Sequence, residues 1–503
     1  MIQEMASGLS AEELFERGIG LSYSDFTTLN TQFANIDRGD ISLETELGKG
    51  IKLQTPIIAS PMDTVTNDKL CIALALQGGI GAIHYNHKGG DGKPSIDMQV
   101  KEIVRVKRFQ NGFIENPVTI SPDMTIVQAI EVGEKNRIGD WVIRTFPVTA
   151  DGKNNGRLVG LLRKYDYFRG SRTDLKVRDR MILLENLVVA EYPVTLDRAK
   201  EILWENHISS LPIVDGVCNL KYLVTRRDIE KSEQYPLATK DANNRLRVIF
   251  AVDTRPEAHE RLELGFAAGA DGVIVDASQG FTKYARDTIR YIKNKFPDKL
   301  LIGGNISTRE AAKFLAEEGI DAYRNGQGSG STCTTAGAIG IARAPATAVY
   351  ECSRSLVDTK VSTIADGGLR EVGDIFKAIA IGAHCAMLGN LLAGTEESPG
   401  EVIIDRETGL PTKVYRGMGS AEANVGSCRG YTRLPEGILA RVKYRGSIHM
   451  WVPLIRDGLI HALEVQDCRN IAELHRKMYA GELRFDKENQ QSHDEIKRSN
   501  LFL

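Results

Sequence analysis

One phrase recurs along this chain: a short aliphatic run, an end rich in glycine or aspartate, then an amphipathic stretch. It is read in "LRVIFAVDT" (246–254), "DGVIVDAS" (271–278), "LLIGGNIS" (300–307), "DAYRNGQG" (321–328), "VSTIADGG" (361–368) and "HCAMLGN" (384–390). Two earlier runs, "TPIIASPMDTVT" (55–66) and "GGIGAIHYNH" (78–87), have the same character. Runs that are apolar on both faces suit a parallel sheet covered on both sides, and the helical stretches between them supply the cover. About eight such units predict an α/β fold of the (β/α)8 barrel type. The rival, an open doubly wound sheet, lacks a GxGxxG opening a helix after a strand.

The rhythm breaks in the middle. From 117 to 232 a weak repeat of roughly sixty residues takes over. Each copy has a helical stretch, a Pro-containing apolar strand, an Asp-Gly turn, a second apolar strand and a basic-x-Asp or Arg-Arg-Asp ending. The expected organisation is a first part of the barrel over 1–115, an inserted module over 116–236, and the rest of the barrel over 237–503.

Composition narrows the function classes. A net charge of −2 gives no footprint for nucleic acid or a membrane surface as a general partner. Seven cysteines without a CxxC argue for a reducing compartment, and against a disulfide framework or a zinc site; no metal ligand set is expected. The first residues are too polar for a secretory signal, and no apolar run reaches the ~20 residues of a membrane span. A cytoplasmic protein is the expectation.

In a barrel of this kind the loops after the strands carry the chemistry. "NGQGSGSTCTTAG" (325–337) follows one strand directly and holds a lone thiol, Cys333, among glycines and hydroxyls. Glycines let backbone N–H groups approach a ligand, and a cysteine in such a nest gains thiolate character. The other reading is a surface Gly/Ser loop with an incidental cysteine. "ADGGL" (365–369) and "MLGNLLAG" (387–394) resemble the phosphate-binding end of barrels. There Asp366 is placed to accept from ribose hydroxyls.

The motifs "GSGSTCTT", "IADGG", "MLGNLLAG", "YRGMGS" and "SPMDTVT" together resemble the inosine-monophosphate dehydrogenase and guanosine-monophosphate reductase superfamily. The resemblance spans nearly the whole chain, and the insertion resembles a tandem CBS (Bateman) module. It implies a barrel that binds GMP or IMP, with Cys333 as the nucleophile that bonds to C2 of the purine and Thr335 in proton transfer. Matched residue by residue, Ser60, Met62, Ser331, Asp366, Gly368, Gly389, Asn390, Tyr415, Gly417, Met418, Gly419 and Ser420 fall on the substrate site. Asp276, Ser278, Gly304 and Asn305 fall on the side of the nicotinamide cofactor. His84 and His87 are read as structural. The resemblance also implies a homotetramer that can pair into an octamer, and leaves room for a monovalent cation, although Asn325 and Gln327 depart from the small apolar residues usual in that loop.

Between the two activities, the dehydrogenase pattern calls for an adjacent Arg-Tyr pair on a long flap. This chain has Arg429-Gly430-Tyr431 in a short segment. "GYTRLPEGILARVKYRG" is similar to the reductase pattern instead, and makes Glu436 the acid that serves the departing amine. Pro435 before it would equally suit the first turn of a helix. The expectation is therefore an NADPH-dependent GMP reductase, with an NAD-dependent IMP dehydrogenase and a nucleotide-sensing scaffold as alternatives. In the module, CBS sites hold ribose with a Thr-x-x-Asp. Thr225 and Asp228 supply it in the second copy, whereas the first keeps Asp166 and has Arg163 in place of the threonine. Regulatory purine nucleotides are the expected ligands there.

Overall fold

The computed structural model describes residues 7–15, 18–31, 33–89, 95–109, 113–114, 116–137, 142–167, 175–227, 229–230, 235–424 and 434–488. Two compact units are present, one formed by 1–104, 237–239 and 247–503, the other by 105–236 and 240–246.

The first unit is built on a closed barrel of eight parallel strands. They are β1 (Ile57–Ala59), β2 (Ile80–Ile83), β3 (Ile249–Val252), β4 (Gly272–Val275), β5 (Leu300–Ile306), β6 (Ala322–Asn325), β7 (Ser362–Asp366) and β8 (Cys385–Leu388). Each pairs with its successor and β8 closes on β1. Every one of the eight apolar runs named above contains one strand, so the (β/α)8 barrel expected from them is the fold observed. The helices α1 (Asp68–Leu76), α2 (Ile96–Phe109), α3 (Ala258–Ala267), α4 (Lys283–Lys295), α5 (Arg309–Glu317), α6 (Pro345–Arg354) and α7 (Val372–Ala380) follow the first seven strands. The eighth position is taken by α8 (Ile448–Val465), which packs on α7 and α1. Helix starts are set locally: Asn67, Thr282 and Thr308 each accept the N–H three residues on, at 2.9, 3.2 and 3.3 Å. After β8 the chain first makes a three-stranded antiparallel sheet of β9 (Ile403–Ile404), β10 (Pro411–Arg416) and β11 (Leu439–Lys443).

Side-chain alternation along the strands decides what fills the barrel. Ile58, Ile80, Ala82, Ile249, Ala251, Ile274, Leu300, Ile302, Ala322, Ile364, Cys385 and Met387 share one interior cluster. The hairpin Thr45–Gly48/Ile51–Leu53 adds Leu47, Ile51 and Leu53 to it. The residues between point outward to the helices, as Phe250 does toward α3, where Gly265 leaves room for its ring. A fully buried phenylalanine of this kind contributes about 1.5–3 kcal/mol. Taken one step further, the inward parity reaches Ser60, Asp276, Arg324, Asp366 and Gly389, all at the carboxyl ends of their strands.

The second unit is a doubled motif. Helices Ile126–Lys135 and Leu196–Glu205 are capped by Thr125 and Thr195, and end at Asn136 and Asn206, whose side-chain amides donate to the carbonyls of Val132 and Ile202. Each helix precedes an antiparallel hairpin, Phe146–Thr149 with Leu158–Leu162 and Ser210–Val214 with Leu220–Thr225. Each half has its own apolar cluster, one around Phe146 and Ile126, the other around Leu211 and Leu203. The first residues of this unit, from Arg105, lie within α2.

Burial, reinforced by His475 at 5.2 Å, holds the His384 imidazole down to about 3, and its Nδ1 accepts the Thr363 N–H at 3.0 Å. Below the unfolded value of about 6.5 the unfolded chain takes up a proton that the folded chain refuses. Stability should therefore fall as pH drops from 6.5, by at most about 2 kcal/mol at pH 5 from this group. Denaturant titrations at pH 7.5 and 5 check it: His384→Asn, which keeps an acceptor for Thr363, should show a shallower loss than wild type, and an identical slope would contradict the assignment.

Candidate active site

The strand-end residues meet in one pocket at the carboxyl end of the barrel. Its floor is organised by Arg324. The guanidinium donates through Nε and Nη2 to Asp366 Oδ2, at 3.1 and 2.8 Å, and through Nη1 to Asp276 Oδ1. Burial pulls its pKa down, but Asp366 and Asp276 outweigh that and hold it above the usual arginine value, so it is charged. Asn305 also donates to Asp366 Oδ2, at 2.8 Å, and to the Gly326 carbonyl at 2.8 Å. Among the described residues Asp366 Oδ1 takes no protein donor.

The wall is the loop after β6. Cys333 lies at its end, just before the one-turn helix Thr335–Ile339. Its Sγ is 3.1 Å from Thr335 Oγ1, and the Thr335 hydroxyl donates to Glu436 Oε2 at 2.9 Å. Thiol, hydroxyl and carboxylate thus form an unbroken contact chain from residues 101 positions apart in sequence. Main-chain bonds hold it: Thr334 N–H donates to Glu436 O at 3.0 Å, Ile438 N–H to Thr332 O at 3.0 Å, and Glu436 N–H to Gly419 O at 3.1 Å. Gly437 bridges to both Cys333 and Ser420. Glu436 is therefore in extended chain between two loops, not in the first turn of a helix that Pro435 would have allowed.

Tyr415, at the end of β10, closes the pocket beside Met62, its hydroxyl 3.8 Å from the sulfur. Burial raises the phenol pKa, and hydrogen bonds with Ser331 and Thr332 temper the rise.

Of the residues singled out from sequence, Cys333, Glu436, Ser60, Met62, Ser331, Asp366, Gly368, Gly389, Asn390, Tyr415, Gly417, Met418, Gly419, Asp276 and Asn305 line this pocket. Thr335 lies behind Cys333. Ser420 is fully buried and its Oγ accepts the Ala423 N–H at 3.1 Å, away from the pocket lining. Ser278 and Gly304 are also outside the lining; Ser278 offers its carbonyl to Gln327 at 3.0 Å, and Gly304 makes room for the Arg324 side chain. His84 and His87 stack on each other at 4.0 Å and do not line the pocket. In the second unit Thr225 ends its hairpin strand, and Asp166 is gripped by Arg163 through Nε and Nη2 at 3.2 and 2.9 Å. Asp228, Arg429 and Tyr431 lie outside the described residues.

The sequence reading missed Arg324. Its signal was parity: it stands two residues after the inward Ala322, as Asp366 stands two after Ile364. Thr332 and Ser329 also line the pocket.

The chain matches the IMP dehydrogenase / GMP reductase domain over residues 20–497 and belongs to that family. Inosine-5'-monophosphate dehydrogenase of Aquifex aeolicus is 39% identical, over 91% of this chain and 92% of that protein. Inosine-5'-monophosphate dehydrogenase of Toxoplasma gondii is 33% identical, over 96% of both chains. Among solved structures, a GMP reductase variant of Trypanosoma brucei in complex with guanosine 5'-monophosphate superposes with a TM-score of 0.87 at 30% identity, covering 96% of this chain and 98% of that one. The chain is an oxidoreductase of purine metabolism whose family works with a nicotinamide cofactor. No helix among the described residues is long and apolar enough to cross a membrane.

The Gly437 junction gives a test. A Cβ there would stand 3.0 Å from Ser420 N and 3.2 Å from Thr332 O, both rigid backbone atoms. Gly437→Ala should displace Glu436 from Thr335 and lower turnover by roughly 10²-fold, the cost of a displacement of ~1 Å in a reacting constellation. The stability loss should stay near about 1–3 kcal/mol. Steady-state kinetics beside thermal unfolding read both, and unchanged turnover would contradict the role of the junction.

Proposed function

We propose that the chain catalyses the reductive deamination of GMP to IMP and ammonia, with NADPH as reductant and Cys333 as nucleophile. The observation that carries this reading is the contact chain Cys333–Thr335–Glu436. The thiol proton passes to Thr335 as the Thr335 proton passes to Glu436, leaving a thiolate to attack C2 of the purine. The same path run backwards returns a proton to the amino nitrogen, which leaves as ammonia, and a thioimidate to Cys333 remains. Asp366 Oδ1 accepts from the ribose hydroxyls, since its other oxygen is taken by Arg324 and Asn305. Ser331, Gly368, Gly389 and Asn390 surround the phosphate, while Met62, Tyr415, Gly417, Met418 and Gly419 frame the base.

The residues present suit a nicotinamide cofactor. Asp276 and Asn305 give the pocket a polar edge on the β4–β5 side, away from Tyr415 and Gly389, and these residues would hold it. When bound, it supplies the hydride that replaces sulfur at C2. Four carbonyls of the Cys333 loop accept protein N–H groups, Gly326 from Asn305, Gln327 from Arg343, Gly330 from Cys333 and Thr332 from Ile438, each with a second lone pair left over. The mechanism has no step through a cation.

A second reading, oxidation of IMP by NAD with water, is favoured by the names of the curated relatives at 33% and 39% identity. It needs a water activator, and the segment 421–435 carries no adjacent Arg-Tyr pair to serve. We read the second unit as a tandem CBS module that senses purine nucleotides, with Thr225 and Asp228 as its ribose site and Asp166 preoccupied by Arg163. A cytoplasmic homotetramer, pairing into octamers, completes the reading.

Assaying GMP with NADPH and IMP with NAD separates the two activities. In the first, Glu436→Gln should lower kcat by about 10²–10⁴-fold and leave KM nearly unchanged, as expected when a proton-transfer group is lost and its shape kept. Turnover of IMP with NAD alone, or a Glu436→Gln variant at wild-type kcat, would overturn the reductase reading.

A further inference from the structure

The loop that presents Cys333 begins Gly326-Gln327-Gly328-Ser329-Gly330, so only two side chains, those of Gln327 and Ser329, can anchor this first stretch. The glycines are required where they stand. Gly326 has φ +156°, and a Cβ there would collide with the Asp366 carbonyl. Gly328 has φ +74°, with the Ala342 Cβ 2.5 Å from where its own would be. The two side chains go opposite ways. Ser329 donates to the Asp366 carbonyl at 3.2 Å, on the nucleotide side. Gln327 goes to the ends of β4 and β5: its Nε2 donates to the Ser278 carbonyl at 3.0 Å and to Gln279 Oε1 at 2.9 Å, and its Oε1 accepts from the Ser307 hydroxyl at 2.5 Å. Its own carbonyl accepts the Arg343 N–H at 3.1 Å, and Arg343 Nη1 donates to the Ser307 carbonyl at 2.7 Å. A carboxamide fits this position because it offers an acceptor to a hydroxyl and two N–H donors to oxygens at once. A glutamate has no donor and an aliphatic residue has neither group.

We propose that Gln327 is a positioning residue that couples the cofactor-side strand ends to the Cys333 loop, so that occupation of the cofactor site sets the loop in its attack-ready position. The proposal rests on the reading that the cofactor lies against Asp276 and Asn305. Asp276 is two residues before Ser278 on the same strand end, and Asn305 is two before Ser307, so a group seated there presses on the two segments that Gln327 holds. Six residues after Gln327 comes Cys333; the far end of the loop is held by main-chain bonds to the 436–438 segment, and Gln327 holds its cofactor-side start. Gln327 touches no reacting atom; its effect passes through the loop.

The test uses the full chain with Gln327→Leu and the near-isosteric Gln327→Glu. Three quantities are read: the KM for cofactor, the KM for nucleotide, and the rate at which iodoacetamide labels Cys333, followed by peptide mass mapping with and without cofactor. In wild type, cofactor should change the labelling rate. In Gln327→Leu that response should disappear, the cofactor KM should rise about tenfold, the equivalent of one or two net hydrogen bonds, and the nucleotide KM should stay within about twofold. Gln327→Glu should behave the same way, which keeps the test open if the leucine variant does not fold. Equal changes in both KM values, no change in either, or a labelling response that survives in the variants would overturn the proposal. If the chain turns over IMP with NAD instead, the reductase reading falls alone, because the split between the two KM values is read with whichever pair reacts.

Discussion

A buried guanidinium held between two carboxylates is the interaction on which the rest of the site depends. Arg324 contacts Asp276 on one side and Asp366 on the other, and all three project inward from neighbouring parts of one barrel. Three charges at the end of an aliphatic barrel carry a large desolvation cost. They persist because each is paired and hydrogen-bonded, and because Asn305 adds a further donor to Asp366. The arrangement leaves one net negative charge, and among the described residues Asp366 Oδ1 and Asp276 Oδ2 take no protein donor. Removal of the guanidinium would leave two carboxylates facing each other across the mouth, with nothing to orient either.

The same bridge links the two halves of the proposed chemistry. In the proposed chemistry Asp366 belongs to the nucleotide side, through Oδ1 and through its carbonyl, which Ser329 engages. Asp276 lies on the β4 edge of the pocket, beside the segment held by Gln327. The contact chain of Cys333, Thr335 and Glu436, the proposed proton path, is assembled separately, by main-chain bonds between the Cys333 loop and the 436–438 segment. A charged floor centred on Arg324 and a contact chain held by backbone bonds around Gly437 are thus two different solutions to positioning.

How much of this was legible in the sequence follows from what each feature requires. The barrel was legible because each strand is a local aliphatic run with its glycine- or aspartate-rich end, and Cys333 and Asp366 stood out because their neighbours are small. Arg324 was not seen as a site residue although "AYRN" was recognised as a strand; recognition needed the inward parity of Ala322 to be fixed first, and parity is fixed only when the barrel closes. The Thr335–Glu436 contact joins residues 101 positions apart, which no local pattern reports. Pro435 pointed toward a helix start, yet tertiary pairing with Gly419 and Thr334 drew the segment out into extended chain. Gln327 was visible only as a departure from a family pattern, and the role proposed for it comes from the strand ends it meets.

The account is tested most directly at Arg324, by titrating GMP into folded Arg324→Met protein in a calorimeter. Breaking a buried ion pair from one side costs about 3–5 kcal/mol and leaves the carboxylates unpaired. If the charge bridge organises the nucleotide pocket, GMP affinity should fall by roughly 10²-fold or more at neutral pH. A Kd within about threefold of wild type, less than 1 kcal/mol on this scale, would show that the pocket holds its shape without the bridge and would contradict the account.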